Sequence, residues 1–288
     1  MDLKRTINEI TTIYSFEPDI KDIYVEGTID KHFIDWYLHR KGLNDITVYP
    51  IDLIDIPIEI LNAHELPTNS YRSQVIAFSI ELSKRTFSHC QVMCIIDRDS
   101  DELIPPSIAN SYLFTTDGNS LELYAFTPDV LDKFLLVTLA GFPLSTDNLL
   151  TQMTTVLERL FAIRQANKIL KMGMTWIPFA KYVNVSKTTI LFREEDFIRS
   201  YLQANNQWHQ HSYFINSVNT IAKNMSPESN KRIRGHDIGE LLCLVIRKLR
   251  KRRVLGNPEI VEGCLLSAIE CSDLSKYSLF QYIDNIAK

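Results

Sequence analysis

The sequence lacks the features that mark a membrane or secreted protein. It has no run of roughly 18 uninterrupted apolar residues, and its longest apolar stretch, 134–144, is interrupted by Gly141 and Pro143. The first ten residues carry charges without an apolar segment behind them, so no secretory signal is expected. We therefore expect a cytoplasmic protein that makes no use of a membrane.

Two kinds of functional motif are missing as well, namely paired cysteines and a phosphate-binding loop. The chain has five cysteines, an odd number, and no CxxC pair. This pattern favours neither a disulfide framework nor a zinc knuckle, so we expect the cysteines to be small buried apolar residues. The absence of a GxxxxGKS or GxxxxGKT segment excludes a P-loop ATPase within these 288 residues.

Charge is unevenly distributed along the chain. Residues 1–145 contain 11 Lys or Arg and 22 Asp or Glu, whereas residues 146–288 contain 20 and 13, so the halves carry net charges of −11 and +7. An acidic half joined to a basic half suits a metal site combined with a nucleic-acid surface. Uneven surface charge without a function is the alternative interpretation of the same numbers.

The first half alternates apolar β-type runs with helical stretches. Strands are expected at 22–27, 46–52, 92–97 and 111–116. Helices are expected at 29–41, at 70–85 and from Ser120 onward. This βαβ pattern predicts an α/β fold with a parallel sheet, and the lack of polar alternation in the strands indicates helices on both faces.

Helical patterns dominate the second half. They are expected at 128–139, 145–171, 194–205, 212–224, 236–252 and 258–270. The segment 172–192 contains Pro178 and several β-branched residues, which favours a loop or a short hairpin. The sequence therefore predicts an α/β domain at 1–127 and a mainly α-helical domain with a basic segment at 128–288.

Acidic residues stand where two of the predicted strands end. Glu26 closes the first strand, and Asp97, Asp99 and Asp101 follow one another at every second position from the end of the third. The carboxyl ends of parallel strands meet at one edge of a sheet, where ligands bind. Carboxylates at this density suit Mg²⁺ or Mn²⁺. For the DxDxD segment alone, an exposed acidic turn is the alternative.

The segment VEGTID, followed about seventy residues later by CIIDRDSD, resembles the motifs of the TOPRIM family. Those motifs are a glutamate after the first strand and a DxD after a later one. The resemblance spans roughly residues 20–127 and implies a TOPRIM-like parallel sheet flanked by helices. Glu26, Asp97 and Asp99 would then hold Mg²⁺ or Mn²⁺ and cleave phosphodiesters, with Asp101 as a further candidate ligand.

Two further acids extend the resemblance to the OLD-type nucleases and to the AriB family, the effectors of PARIS anti-phage systems. These proteins carry an acid shortly after the glutamate, like Asp30, and a polar-Leu-Glu segment like the one ending at Glu122. Asp30 would support catalysis or stabilise its own helix. Glu122 would complete a second metal site or lie on a solvated helix face. The resemblance implies a toxic effector that cleaves host tRNA, acts as a homodimer and is held inactive by a separate ATPase partner, AriA.

Basic residues cluster near the end of the helix expected at 236–252. Six positive charges fall within seven residues, namely Arg247, Lys248, Arg250, Lys251, Arg252 and Arg253. Contact with nucleic-acid phosphates is the functional interpretation. The alternative is helix stabilisation, because cations favour a helix carboxyl end and Gly256 and Pro258 mark a stop there.

Two other functions fit parts of this pattern. An Asp-based phosphotransfer domain also places an aspartate such as Asp97 at a strand end; Thr115 and Thr116 are available to it, but no suitable lysine follows. A non-catalytic module would use the basic helix to bind nucleic acid or a protein partner. Metal binding separates this module from the nuclease, because only the nuclease requires the cation.

Overall fold

The structure, a computed structural model, describes residues 4–85, 91–99, 109–250 and 253–286. The chain divides into two compact units: Met1–Asp117 with Glu270–Lys288, and Gly118–Ile269. None of the described helices has the length and apolar character needed to cross a membrane.

The first unit is built from short strands and the helices between them. Its strands are β1 (Arg5–Thr6), β2 (Lys21–Val25), β3 (Ile46–Pro50), β4 (Ile54–Asp55), β5 (Gln91–Ile96) and β6 (Leu113–Thr115). Its helices before residue 118 are α1 (Ile7–Phe16), α2 (Thr28–Lys41), α3 (Ile58–Ala63) and α4 (Tyr71–Ser83). A capping box formed by Thr6 and Glu9 begins α1, and Gly42, with a φ of 73°, ends α2 in the left-handed conformation.

The main sheet has four parallel strands in the order β3-β2-β5-β6. Its strand β2 is buried on both faces, since Ile23, Tyr24 and Val25 are at most 3% exposed. This burial explains why the strand forms a continuous apolar run in the sequence. The prediction of a parallel, helix-flanked sheet is confirmed, and the four strands end within about two residues of the expected positions.

The chain order in this sheet creates a switch point between β2 and β5. From β2 the chain crosses to β3 on one side, and it then returns to β5 on the other side. Ligands of open α/β sheets bind outside the carboxyl ends of the strands at such a point. The residues that directly follow β2 and β5 are therefore well placed for function.

One apolar core lies between the sheet and the helices α1 and α4. Tyr14 of α1 and Phe78 of α4 are at most 2% exposed, and both contact Tyr24 of β2. The Tyr14 hydroxyl also donates to Asp22 Oδ2 at 2.7 Å, which gives this buried carboxylate a partner. Because Asp22 lies near the opposite end of β2 from Glu26, we assign it to the core.

The C-terminal helices α11 (Cys271–Leu274) and α12 (Ser278–Ile286) belong to the first unit. Phe280 is fully buried, and its ring centroid lies 6.2 Å from that of Phe33 and 4.7 Å from that of Tyr37. The Tyr37 hydroxyl donates to Asp284 at 2.8 Å. These contacts place residues 271–286 beside α2 in the first unit. The two units of the structure therefore differ from the two domains expected from the sequence, which met at a single boundary after residue 127.

The second unit is mainly helical. Its helices are α5 (Pro128–Lys133), α6 (Thr146–Ile169), α7 (Glu194–Ala204), α8 (His211–Asn224), α9 (Gly235–Arg250) and α10 (Pro258–Ser267). The segment at 172–192 contains an antiparallel hairpin of β7 (Val183–Val185) and β8 (Ile190–Phe192). The helix expected from Ser120 is only a 3₁₀ helix at Leu121–Tyr124, because Thr127 caps the separate helix α5 soon afterwards.

A buried ion pair joins α6 to α9 in the second unit. Arg164 donates to both carboxylate oxygens of Asp237 at 2.8 and 3.1 Å, and Asp237 is 1% exposed. The Arg164 guanidinium also lies 3.5 Å from the ring centroid of Trp176. Asp237 is therefore held by packing and charge within the unit.

The four cysteines in the described part of the chain are free thiols. Cys94 and Cys243 are buried, as expected, whereas Cys264 and Cys271 are only partly buried. Cys90 lies outside the described residues.

Candidate functional site

Two of the predicted acids meet at the carboxyl edge of the main sheet. Glu26 directly follows β2, and Asp97 directly follows β5, the parallel neighbour of β2. The Asp97 backbone N–H donates to Glu26 Oε1 at 2.9 Å. The expected position of Glu26 and Asp97 at neighbouring strand ends is therefore confirmed.

The Glu26 carboxyl group is largely removed from water. Burial, with a smaller contribution from the carboxylates of Asp99 and Asp30, raises the pKa of Glu26 to about 7. The Asp97 N–H and the Arg72 guanidinium act in the opposite direction by favouring the charged form. A carboxyl group with this pKa can exchange a proton near neutral pH, as a general base requires.

Asp99 occupies a sharp turn after β5. Its φ of 53° lies in the left-handed region, which Asp adopts more readily than most residues do. Asp99 Oδ2 lies 3.3 Å from Arg72 Nε, and the same nitrogen donates to the backbone oxygen of Asp97 at 3.2 Å. Arg72 of α4 thus connects the two aspartates of the DxD segment.

Sequence reasoning missed Arg72. It stands in the first turn of an ordinary helical pattern, 70–85, and no motif surrounds it. Its role arises because α4 packs in the same unit as β5, which brings a cation to the acidic edge. Only the general rule that buried or clustered acids need a nearby cation could have indicated such a residue.

Thr116 anchors the turn that carries Asp97 and Asp99. Its hydroxyl accepts a hydrogen bond from the Arg98 backbone N–H at 3.0 Å, and the residue is 1% exposed. The hydroxyl that an Asp-based phosphotransfer domain would use is thus engaged with the backbone after β5. This contact favours a structural role for Thr116.

Asp30 lies in the first turn of α2 and forms a helix cap. Its Oδ2 accepts a hydrogen bond from the Gly27 backbone N–H at 2.9 Å. The sequence left two roles open for Asp30, support of catalysis and stabilisation of its own helix. This contact directly supports helix stabilisation. Asp30 also contributes to the raised pKa of Glu26, so it acts on the site through charge.

The acids at the sheet edge offer the oxygen donors that a hard cation prefers. In the described part of the chain, their ligand atoms do not all lie within 4.8 Å of one another. Among the described residues, one set of three acidic, His or Cys side chains has ligand atoms that all lie within 4.8 Å of one another, and it comprises Glu122, His236 and Glu262. The oxygen donors fit a divalent cation at the edge. So does the repulsion from Asp99 and Asp30, which contributes to the raised pKa of Glu26 and which a cation would relieve. Asp101 lies outside the described residues, and Glu122 belongs to the second unit.

The basic cluster divides into exposed and engaged residues. Arg247 and Lys248 are exposed near the end of α9. Arg250 instead donates to the carbonyl oxygens of Leu139 at 3.4 Å, of Ala140 and of Gly141. Arg250 therefore binds backbone carbonyls after the π-helix at Phe134–Thr138. Lys251 and Arg252 lie outside the described residues, as does the side chain of Arg253.

No protein-family model matches the chain, and no curated protein matches it.

Proposed function

We propose that the first unit is a magnesium-dependent nuclease of the TOPRIM type whose centre is formed by Glu26, Asp97 and Asp99. The observation that carries the proposal is the 2.9 Å hydrogen bond between the Asp97 backbone and Glu26. It joins the ends of two adjacent parallel strands at the switch point of the sheet. This is the location at which open α/β sheets bind their ligands.

The three acids would hold the cation through hard oxygen donors. Bound Mg²⁺ or Mn²⁺ would supply positive charge at the attacked phosphoryl group and an acidified water molecule. Burial raises the pKa of Glu26 to about 7 in the metal-free chain, and its carboxylate, where it does not itself ligate the cation, would accept a proton from the attacking water. Asp97 and Asp99 would fix the position of the cation, and through it that of the phosphate, because their turn is anchored to Thr116 and Arg72.

Arg72 would have a second role at this edge. In the metal-free chain its guanidinium offsets the charge of Asp99 and also contacts the Asp97 carbonyl. The same planar group suits an incoming phosphate, since guanidinium binds phosphate oxygens in a forked geometry. We therefore include Arg72 with the acids as a residue that positions substrate.

The biological role that we propose follows the resemblance to the AriB family. The chain would be a toxic cytoplasmic effector that cleaves host tRNA and acts as a homodimer. These 288 residues contain no P-loop, and the resemblance implies that a separate ATPase, the AriA-type partner, would hold the effector inactive. The exposed Arg247 and Lys248 would contribute to binding the nucleic-acid backbone.

The proposal can be tested with the purified full chain and three substrates. Total tRNA, single-stranded DNA and duplex DNA are incubated with the protein in Mg²⁺, in Mn²⁺ or in EDTA. We expect cleavage of tRNA that requires the cation. Cleavage of DNA alone would retain the nuclease and change its substrate, whereas an absence of cleavage on every substrate would refute the nuclease.

A further inference from the structure

Three side chains of types that can bind metals converge in the second unit, on three different elements. Glu122 lies in the 3₁₀ helix Leu121–Tyr124, His236 in the first turn of α9 and Glu262 in α10. Their ligand atoms all lie within 4.8 Å of one another, and His236 Nδ1 is 3.5 Å from Glu122 Oε1. An imidazole with two carboxylates is a donor set that binds divalent transition metals.

Two glycines make room for these carboxylates against α9. Gly235 and Gly239 are one helical turn apart, and both are buried. A β-carbon on Gly235 would overlap the Glu122 carboxylate, and one on Gly239 would overlap the Glu262 carboxylate. Each glycine therefore lets one carboxylate lie against the helix backbone. Gly239 does so inside α9, where glycine costs helix stability.

A fourth polar group points to a ligand at the same place. Ser120 is only 7% exposed, and its hydroxyl has no hydrogen-bond partner among the described residues. That hydroxyl and Glu122 Oε2 both face the position that a β-carbon on Gly235 would take. Glu122 Oε2 is itself a buried atom without a hydrogen-bond partner in the described chain. Buried polar atoms left without partners indicate a missing water or ion.

We propose that Glu122, His236 and Glu262 form a second metal site, for a divalent transition ion such as Mn²⁺ or Zn²⁺, with the Ser120 hydroxyl facing it. The site differs in donor set from the acids of the first unit, because it contains an imidazole nitrogen whereas those acids supply oxygen only. Of the two roles that the sequence left open for Glu122, the site takes metal binding, and it gives Glu122 two partners, His236 and Glu262, that the sequence did not indicate. A bound ion would link the segment after Gly118 to α9 and α10 and would stabilise the second unit.

The imidazole provides a test that does not depend on enzyme activity. The full chain is titrated with Mn²⁺, and pulsed electron paramagnetic resonance detects coupling between the bound ion and a nitrogen nucleus. We expect this nitrogen coupling in the unmodified protein and in the Glu26→Gln variant, since the sheet-edge acids supply oxygen donors only. If the acids of the first unit do not bind the cation, the Mn²⁺ signal without nitrogen coupling is absent, and the nitrogen-coupled signal remains. The two sites are therefore tested independently.

Variants at the site decide whether His236 is the ligand. His236 is 62% exposed, so His236→Ala should fold normally and lose the nitrogen coupling. Glu262→Gln should weaken Mn²⁺ binding by about tenfold or more, whereas its matched control, the exposed Glu259→Gln on the same helix, should not. Gly239→Ala should weaken binding without removing any ligand, because the added carbon displaces Glu262. Absence of nitrogen coupling in the unmodified chain, or its survival in folded His236→Ala, would overturn the proposal.

Discussion

Glu26 has a charge that depends on the fold. Its pKa is about 7 in the folded chain and would return to its ordinary value of 4.5 on unfolding. Between these two values the folded state holds a proton that the unfolded state has released. The free energy of unfolding therefore falls as the pH rises through this window, and the protonated carboxyl is the form that the fold favours.

We predict that Glu26→Gln removes this pH dependence in the metal-free protein. Glutamine resembles the protonated carboxyl and does not ionise, so the variant should be more stable than the native chain above pH 7, by up to about 3 kcal/mol. Urea unfolding in EDTA at pH 5 and pH 8 measures the effect. If the difference in unfolding free energy between the native chain and the variant is the same at pH 5 and pH 8, the burial of Glu26 is contradicted.

At the scale of single elements, the end of α9 contains cations with different functions. Arg250 donates to the carbonyl oxygens of residues 139–141, whereas Arg247 and Lys248 project from the helix into solvent. The sequence does not distinguish these residues, since phosphate contact and stabilisation of the helix end were open for all of them. The contacts of Arg250 indicate that at least this member of the set holds the fold together.

We predict opposite effects of substitution at these positions. Arg250→Gln should lower the free energy of unfolding by about 1 to 2 kcal/mol, because it removes hydrogen bonds from a charged donor. The double variant Arg247→Gln with Lys248→Gln should retain stability, bind nucleic acid more weakly and reduce the slope of affinity against salt by about 0.9 for each lost phosphate contact. Melting curves and binding titrations at several salt concentrations check both parts, and the reverse pattern would exclude this division of roles.

The strands of the main sheet could be predicted from the sequence, but several helices could not. The buried strands form unbroken apolar runs, a local signal that requires no knowledge of their partners. Helix α1 has the sequence INEITTIYSF, in which Ile and Thr weaken the helical signal, and it depends on its capping box and on packing. Helix α12 has only nine residues and depends on contacts with α2, which are 240 or more positions away.

The candidate site was predictable to a similar degree. Glu26 and Asp97 could be placed at one edge because each ends a strand, and strand ends in a parallel sheet meet. Arg72 and the cluster of Glu122, His236 and Glu262 could not, because their residues come together only through the packing of separate helices. Local patterns contain no information about which helices will pack in this way.

At the scale of the whole chain, both termini contribute to the first unit. Phe280 of α12 is fully buried against α2, and the backbone N–H groups of Ser278 and Leu279 donate to Asp117 at 2.8 and 3.2 Å. Asp117 thus caps the last helix. Residues 270–286 therefore pack as part of the α/β unit.

We predict that Phe280→Ala lowers the free energy of unfolding by about 3 to 5 kcal/mol, because it leaves a cavity beside Phe33 and Tyr37. The control is Phe16→Ala, since Phe16 is 81% exposed and its loss should change stability by less than about 0.5 kcal/mol. Chemical denaturation of both variants gives the comparison. Equal effects would show that α12 does not pack on the first unit.

We propose that the carboxylate of Glu26 is required for metal-dependent cleavage of nucleic acid. The most direct measurement is the rate of tRNA cleavage in Mg²⁺ by the native chain, by Glu26→Gln and by Glu17→Gln, an exposed glutamate in the same unit. We expect Glu26→Gln to reduce the rate by about two orders of magnitude or more, as loss of a general base commonly does, and Glu17→Gln to cleave normally. Native-like cleavage by a folded Glu26→Gln protein would contradict the account.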